Sequence, residues 1–393
     1  MIRLSQSPRD PAFVQDPYPF YEMARASGPF FYWADYDMPF TPSATAVNAI
    51  FRDRRFGREA PKEFAPVIAP HTAPFYAVEA HSMLELEPPR HTRLRGLVLR
   101  AFTSRRIAAL APEIAALSHH LIDAFPAGEF DLLKHFGQKL PVIIIARLLG
   151  VPEAMADDLL RWSNAMVGMY RTGRDRSTED RAVRATLAFT DFLRGYIDQR
   201  RTKPADDLIT HLIAASDDGD RLTTDELVST CILLLNAGHE ATVHTIGNGV
   251  KTLLENGTGE SALAAETVEP TVEEILRFDP ALHVFTRWAY EEIEVMGHRF
   301  HRGDRVGLLL AAANRDPQVW DDPARFDPAR PVKPNATFGA GLHFCVGAPL
   351  ARLELQIALP ILFARLPRMR LAQPPRYADV YHFHGLQSLV VSP

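Results

Sequence analysis

The sequence predicts a mainly α-helical protein with a small β-sheet region. Apolar residues recur at spacings of three and four over much of the 393-residue chain, whereas strand-like segments are short and lie towards its two ends. A chain that is 47% hydrophobic and 23% charged can bury a large core. No Gly/Ser-rich linker, compositional step or internal repeat divides it, so we expect one domain over residues 1–393.

The helical periodicity predicts a series of helices that fill most of the chain. In order, they cover residues 43–52, 93–124, 139–149, 153–169, 180–200, 205–215, 223–255, 269–278 and 347–365. The segment 223–255 is expected to be a long central helix, because Thr223 and Glu226 have the spacing of a capping box at its start.

Four short segments, 30–33, 293–295, 306–310 and 388–391, are rich in the β-branched and aromatic residues that strands favour. They cluster towards the two ends of the chain, with the helices between, and do not alternate with them one by one. This order excludes a doubly wound parallel sheet and favours helices with a small sheet attached.

Charge and cysteine content narrow the class of protein. The net charge of −5 argues against a nucleic-acid binder that relies on bulk charge. The first 20 residues contain no apolar signal region, and no run approaches the ~20 apolar residues of a membrane helix. Two cysteines, Cys231 and Cys345, do not make a disulfide framework. We therefore expect a cytoplasmic protein that neither spans a membrane nor binds nucleic acid.

The strongest chemical signal is a glycine-rich segment around Cys345, which reads FGAGLHFCVG over residues 338–347 and directly precedes a helical run. A cysteine at a helix N-terminus meets free N–H groups and the positive end of the helix dipole, which favour the thiolate. A thiolate is a suitable axial ligand for haem iron, and its electron donation favours O–O cleavage. Taken alone, a lone cysteine is more often a buried structural residue.

Two other interpretations explain this segment less well. Gly339 and Gly341 resemble the start of a dinucleotide-binding fingerprint, but the sixth position of that fingerprint is Phe344 instead of glycine. A cysteine protease would need a partner histidine, and it would give no reason for the surrounding glycines.

The segment resembles the haem-binding loop of the cytochrome P-450 family, with the pattern Phe338-x-x-Gly341-x-x-x-Cys345-x-Gly347. The resemblance implies the cytochrome P-450 fold, a single triangular domain with a long central helix over haem b. It also implies that Cys345 ligates the iron and that the loop residues Phe338, Gly339 and Gly347 contact the cofactor. His343 stands where this family places a partner of a haem propionate.

The resemblance also includes a network of three charged residues. Glu274 and Arg277 lie three apart on one face of a predicted helix, a spacing that by itself indicates an ordinary surface pair. They resemble the Glu-x-x-Arg pair of the family, and Arg330 matches its third member. The family resemblance implies that one carboxylate and two guanidinium groups brace the cysteine loop.

His91 and Arg95 lie four residues apart, hence on one helical face, and by themselves they indicate an exposed basic helix. In the family this pattern points both side chains at a haem propionate, and Arg287 resembles a further propionate-binding arginine. Two buried carboxylates need such partners. The resemblance therefore assigns His91, Arg95, Arg287 and His343 to the propionates.

The middle of the predicted central helix contains polar and small residues in an otherwise apolar run. A zinc peptidase motif is excluded, because His239 and His244 diverge by roughly 140° on a regular helix. The stretch resembles the oxygen-activating signature of the family, in which a glycine makes room for O₂ and an acid and an alcohol relay protons. The residues concerned are Ala237, Gly238, Glu240, Ala241 and Thr242.

Ala241 departs from this signature, since the family has a hydroxyl residue there. Thr242 lies about 100° further round the helix and would substitute only if the helix were distorted. We therefore expect ordered water, helped by a polar group of the substrate, to carry the proton that the missing hydroxyl would position.

The resemblance also implies a substrate and partners. The expected pocket is apolar, so a small or medium hydrophobic substrate is predicted; its wall includes Phe75, Tyr76, Leu234, Phe285 and Phe383. No flavin, nicotinamide or iron–sulfur motif is present, so electrons are expected from an external ferredoxin or flavodoxin and an NAD(P)H-dependent reductase. The predicted activity is O₂-dependent monooxygenation. A peroxide-driven peroxygenase and, less favoured, a non-enzymatic haem sensor are the alternatives.

Overall fold

The computed structural model describes residues 1–171, 173–215, 221–381 and 383–393. Within them the α-helices are α1 Pro11–Gln15, α2 Tyr18–Ala26, α3 Ala44–Arg52, α4 Ala73–Glu79, α5 Arg90–Ala101, α6 Ser104–Ala109, α7 Ala111–Asp123, α8 Lys139–Leu149, α9 Ala156–Val167, α10 Arg176–Thr202, α11 Leu208–Ala214, α12 Thr224–Asn256, α13 Gly259–Ala262, α14 Val268–Phe278, α15 Leu310–Ala313 and α16 Ala348–Arg365. The mainly helical class is confirmed.

The strands are short. They are β1 Ile2–Leu4, β2 Phe31–Trp33, β3 Met38–Thr41, β4 Phe56–Gly57, β5 Phe130–Asp131, β6 Val284–Ala289, β7 Ile293–Val295, β8 His298–Phe300, β9 Arg305–Leu309, β10 Arg370–Leu371, β11 Arg376–Tyr377, β12 Leu386–Ser388 and β13 Val390–Ser392. Six of them form one sheet in the order β1-β2-β3-β9-β6-β4, and the remainder form three small sheets.

The long central helix α12 begins as predicted. The hydroxyl of Thr223 accepts a hydrogen bond from the backbone N–H of Glu226, and the Glu226 carboxylate accepts one from the N–H of Thr223. The helix continues without a break to Asn256, where Gly257 ends it in a left-handed conformation with φ of 61°. It packs against α8, α9, α10, α14 and α16, so its middle lies inside the protein.

The predicted helix over 93–124 is wrong in its continuity, because the structure divides it into α5, α6 and α7. Phe102 ends α5, and Thr103 caps α6 by accepting a hydrogen bond from the N–H of Arg106. Pro112 in the first turn of α7 suits a helix start, where its missing N–H costs nothing. The apolar periodicity continues across these breaks and conceals them.

Three hydrophobic clusters hold the fold. The largest joins the helices around α12 to α16, the second lies between α3 and the six-stranded sheet, and the third is an aromatic group at the N-terminal side of that sheet. In the parts of the chain that the structure describes, no helix combines the length and apolar character that a membrane span requires.

Candidate functional site

The cysteine loop, residues 338–347, has a backbone that its glycines make possible. Gly339 and Gly341 have φ of +66° and +69°, which residues with a side chain rarely adopt. A Cβ on Gly341 would lie 2.1 Å from the carbonyl oxygen of Phe51. The N–H of Cys345 donates to the carbonyl of Phe338 at 3.0 Å and closes the loop just before α16. The loop backbone is therefore fixed by glycine conformations and by a hydrogen bond within the chain.

The thiol of Cys345 is held by the start of α16. The backbone N–H groups of Gly347 and Ala348 donate to its sulfur. Burial raises the pKa of the Cys345 thiol, whereas these N–H groups and the charges of Arg95 and Arg352 lower it, and the net shift is upward. The helix start therefore does not by itself stabilise a thiolate at Cys345, contrary to the expectation from the sequence. A metal ion that binds this sulfur would have to displace the proton.

The charged network predicted from sequence is assembled behind this loop. Arg277 forms a bidentate pair with Glu274, with both nitrogen–oxygen distances at 2.7 Å, and both side chains are almost fully buried. Arg330 donates to the same carboxylate at 3.3 Å, and the backbone N–H of Asp327 donates at 2.9 Å. Four donor groups thus neutralise one buried acid.

Two residues that the sequence argument missed connect this network to the loop. Arg277 donates to the carbonyl of Asn314, whose side-chain amide donates to the hydroxyl of Thr337. Thr337 in turn donates to the carbonyl of Leu276 at 2.7 Å and immediately precedes the cysteine loop. Nothing in the one-dimensional sequence marks Asn314, since its role depends on a contact across 23 residues.

A cavity of about 390 Å³ lies beside the loop and is lined by Arg287, Glu87 and His343 among others. Arg287 is 3% exposed, and burial first, then the charge of Arg58, lowers its pKa to about 9. Its guanidinium donates to the carbonyl of Thr286 and forms no ion pair within the described chain. The site therefore buries a positive charge that needs an anion.

The predicted histidines line the same region. The rings of His91 and His343 lie 4.3 Å apart, and burial is the largest cause that lowers the pKa of both, for His91 to about 4. Both are therefore neutral at pH 7 in the chain alone, and a propionate beside them would favour their protonated forms. Nδ1 of His91 is buried and has no hydrogen-bond partner. Arg95 donates to the carbonyl of Phe344 at 2.6 Å.

Arg58 and Glu87 are functional candidates that sequence reasoning left without a role. The Glu87 carboxylate accepts from Nε2 of His343 at 2.9 Å and from the backbone N–H of Arg58 at 2.7 Å. The Arg58 guanidinium forms an ion pair with Glu85 and lies near the ring of Phe285. Glu87 thus orients His343, while Arg58 adds positive charge next to Arg287.

These residues fit a dianionic, largely apolar cofactor with a metal at its centre. The buried guanidinium of Arg287 forms no ion pair in the described chain, and Nδ1 of His91 has no hydrogen-bond partner, so both are available to an anionic group. The sulfur of Cys345, held by two N–H groups, supplies the metal ligand. Haem has this combination of a metal centre and two carboxylates.

The middle of α12 presents an accessible face although the helix lies inside the protein. Ala237 is exposed, and Gly238, Glu240 and Ala241 are half-buried. A Cβ on Gly238 would approach only Ile145, at 3.7 Å, which is an ordinary contact. Packing within the chain therefore does not require a glycine at 238, and the space beside it is free for a ligand.

Glu240 lies between two histidines of the same helix. Its carboxylate is 3.6 Å from Nε2 of His239 and 3.4 Å from Nε2 of His244. Burial raises the pKa of Glu240, but the hydrogen bond from His244 and the charges of His239, His244 and Arg171 outweigh it, so the net shift is downward. Nδ1 of His239 faces the hydroxyl of Ser163 at 3.3 Å. Neither histidine was assigned a role from sequence.

Thr242 does not replace the missing hydroxyl of position 241. Its hydroxyl donates to the carbonyl of Gly238 at 3.0 Å, one turn back along the helix. The distortion that would bring Thr242 round to the face of Ala241 is absent, since the whole of α12 is assigned as α-helix. The prediction that Thr242 is catalytic is therefore corrected: its hydroxyl satisfies the backbone.

The predicted pocket residues are dispersed over three groups. Phe75 packs edge-on against Tyr76 and Tyr170 and is almost fully buried, as is Leu234. Phe285 packs against Phe51 beside the cysteine loop. Phe383 packs near His244 of α12 and pairs with Leu282 in an isolated bridge. Phe383 is the pocket candidate that the structure places beside the accessible face of α12.

Comparison with known proteins gives one consistent result. The family model described as cytochrome P450 matches residues 54–367. The chain is 39% identical over 337 residues to cytochrome P450 107B1 of Saccharopolyspora erythraea, covering 84% of this chain and 79% of that protein. It is 37% identical over 379 residues to the cytochrome P450 monooxygenase PikC of Streptomyces venezuelae, covering 92% and 87%. A crystal structure of P450BioI with a ligated acyl carrier protein superimposes with a TM-score of 0.90 at 32% identity, covering 97% of this chain and 99% of that one.

Proposed function

The chain belongs to the cytochrome P450 family, and we propose that it inserts one atom of O₂ into a small or medium hydrophobic substrate. Membership makes it an oxidoreductase of the haem-dependent monooxygenase class, with haem b as its cofactor. It also implies O₂, an organic substrate and redox partners in general. The substrate class, the electron donor and the residue roles below are the proposal.

The observation that carries the proposal is that Cys345 and a buried cation without an ion pair, Arg287, belong to the same site. The loop offers a sulfur held by two N–H groups, and Arg287 offers a buried positive charge that forms no ion pair in the described chain, although Glu87 lines the same cavity. We assign Cys345 to the haem iron, and Arg287, Arg95, His91 and His343 to the propionates. Phe338, Gly339 and Gly347 form the loop surface that contacts the haem.

When bound, the haem supplies the chemistry that activates oxygen and oxidises the substrate. On the helix side, Gly238 and Ala237 leave room for the reactants, and the ionised carboxylate of Glu240 takes up a proton and passes it on. His244, 3.4 Å away, can hold the carboxylate in place and exchange a proton with it. Because Ala241 has no hydroxyl, a water molecule or a polar group of the substrate takes over its part of the relay.

We assign apolar walls to the substrate pocket. Leu234 lies on α12, and Phe383 lies beside that helix. Phe75 and Tyr76 lie on the neighbouring short helix α4, where Arg174 donates to the Tyr76 hydroxyl at 3.3 Å. Electrons come from an external ferredoxin or flavodoxin with its NAD(P)H-dependent reductase. Hydroxylation, epoxidation and dealkylation are the reaction types open to such a site.

A peroxide-driven peroxygenase is the second candidate, because Ala241 lacks the hydroxyl that the proton relay of the family uses. Both functions use the same Cys345 ligand. They differ in the oxidant, and a haem sensor would differ from both by forming no product.

The test begins with the absorption of the reduced, carbon monoxide-bound protein. A red-shifted band that is lost in Cys345→Ser supports the thiolate assignment, and an unshifted band overturns it. Terpenoids, fatty acids and aromatic acids are then titrated while the Soret band is followed. With a compound that shifts it, product is measured with NADPH, ferredoxin and reductase, and separately with peroxide alone. Product only with the electron donors supports the monooxygenase; product only with peroxide supports the peroxygenase.

A further inference from the structure

Three ligating side chains meet at a second place, outside the haem site. Asp279 follows α14, His283 precedes β6, and His384 belongs to the turn before β12. One ligating atom from each lies within 4.8 Å of the other two. Their exposed fractions are 3%, 0% and 3%, so the cluster is closed to solvent.

Two atoms of this cluster have no partner. Oδ1 of Asp279 and Nε2 of His283 are buried and form no hydrogen bond. Oδ1 of Asp279 lies 3.5 Å from Nε2 of His384, a longer separation than a good hydrogen bond. A buried carboxylate is stable when it is paired with a cation or a metal. Asp279 forms no ion pair with an arginine or a lysine of the described chain.

The surrounding charges do not supply that cation. Arg315 donates to the carbonyl of Phe278 and stacks on the ring of Tyr18. Lys251 forms an ion pair with Glu255 at 2.9 Å. Two imidazoles thus lie next to Asp279, and no arginine or lysine of the described chain forms an ion pair with its carboxylate.

The other polar atoms of His283 and Asp279 form hydrogen bonds with neighbouring tyrosines. Nδ1 of His283 forms a hydrogen bond with the hydroxyl of Tyr21 at 2.8 Å, and the Tyr377 hydroxyl donates to Oδ2 of Asp279. The ring of Tyr377 also stacks on that of His384, with centroids 3.7 Å apart. Metal-ligating histidines and carboxylates are usually oriented by such outer hydrogen bonds.

We propose that Asp279, His283 and His384 form a binding site for a divalent transition metal, and for zinc first. Two imidazoles and one carboxylate are a zinc ligand set, with a water molecule as fourth ligand. In a tetrahedron with zinc–ligand distances of about 2.0–2.1 Å, ligand atoms are roughly 3.4 Å apart. The separation of 3.5 Å between Asp279 and His384 agrees with that spacing.

The position gives this metal a structural role near the substrate pocket. His384 directly follows Phe383, and Phe383 pairs with Leu282, the residue before His283. A shared metal would fix the turn before β12 to the start of β6. The proposal is independent of the haem chemistry, because none of the three ligands belongs to the haem site.

The metal content of the haem-loaded protein tests this directly. The protein is purified without an immobilised-metal column, incubated with buffered free Zn²⁺ and desalted, and its zinc is counted against its haem iron by mass spectrometry. We expect about one zinc per haem, and X-ray absorption at the zinc edge showing nitrogen and oxygen ligands with imidazole scattering and no sulfur. Zinc below one tenth per haem, or sulfur in the zinc shell, overturns the proposal.

Three variants make the assignment specific. Asp279→Asn and His283→Gln keep side-chain size and should lose zinc while keeping the carbon monoxide spectrum. Tyr377→Phe should weaken zinc binding about tenfold to a hundredfold, which is the usual loss for an outer-shell partner. The control is His211→Gln, since His211 forms a surface pair with Asp206 at 2.9 Å and should not affect zinc.

The variants also separate ligand loss from misfolding. If Asp279→Asn and His283→Gln do not yield haem-loaded protein, the Tyr377→Phe titration decides alone. Unchanged zinc affinity in Tyr377→Phe, or full zinc occupancy in either ligand variant, would overturn the proposal, because zinc would then bind without the residues of this cluster.

Discussion

The two faces of the proposed haem site are built in opposite ways. On the cysteine side, Glu274 and Arg277 satisfy each other and the surrounding carbonyls with bonds near 2.7–3.2 Å. On the helix side, Glu240 has its partners at 3.4 and 3.6 Å, and Nδ1 of His244 is buried without a partner. Tight satisfaction produces a fixed support. Polar groups left loosely paired are available to water and substrate.

If the cysteine side is the fixed support, breaking its network should have the largest effect on the protein. Arg277→Leu leaves the buried carboxylate of Glu274 with only its weaker partners. Removal of one partner of a buried ion pair costs about 3–5 kcal/mol. We expect little or no haem-loaded protein, measured as the carbon monoxide signal per milligram of purified chain.

The matched control is Arg325→Leu, close in space but on the surface. Arg325 pairs with Asp327 at 2.7 Å, and its side chain is 64% exposed. Exposed ion pairs contribute less than about 1 kcal/mol, so haem content should be normal. Equal haem loss in both variants would contradict the distinction between support and surface.

Changing the helix side should affect turnover and spare the fold. Glu240→Gln keeps the shape but removes the acid, and general acid catalysis contributes at least about a hundredfold. We expect turnover to fall by about that factor, with an unchanged carbon monoxide spectrum and an altered dependence of rate on pH. A normal rate would remove Glu240 from the proton relay and assign it to packing.

The fold and the site could be predicted from the sequence only where they depend on residues that are close in the chain. The cysteine loop, the Glu274–Arg277 pair and the cap of α12 depend on residues close in sequence, and their geometry agrees with expectation. Strand β6 was missed, because the buried cation Arg287 interrupts its apolar pattern. The roles of Glu87, Arg58 and the cluster around Asp279 arise from contacts between distant segments. No local pattern encodes them.

The pH dependence of the unfolding free energy at Glu354 tests the cysteine side of the site. It lies on α16 behind the cysteine loop, is 1% exposed, and burial raises its pKa to about 8. The folded pKa exceeds the unfolded value of 4.5, so ionisation of Glu354 destabilises the folded state. This loss of unfolding free energy is absent well below pH 4.5 and grows as the pH rises to 8. Glu354→Gln removes it. Relative to the native chain, the gain in unfolding free energy should therefore be about 2 kcal/mol larger at pH 7 than at pH 5.

Denaturant titration of the haem-loaded protein at the two pH values measures this difference. The control is Glu269→Gln, an exposed acid in the first turn of α14. It should show no comparable dependence on pH. A gain for Glu354→Gln that is equal at pH 5 and pH 7 would mean that Glu354 is ionised in the fold and satisfied by water.

The smallest expected effect is the most informative about the helix side. Ala241→Thr restores a hydroxyl next to Glu240 at little cost, since the helix face there is accessible. If water or a substrate group already carries the proton, product formed per NADPH consumed should change by less than about threefold with the true substrate, well under 1 kcal/mol. A hydroxyl that displaces that water could even lower it. Thr242→Val is the control: its hydroxyl is donated to Gly238, so coupling should not change. A large rise in coupling for Ala241→Thr with every substrate would contradict this expectation. It would show that the native site loses electrons to side reactions because the hydroxyl is missing. The loosely paired groups on the helix side would then be a defect and not an opening for substrate.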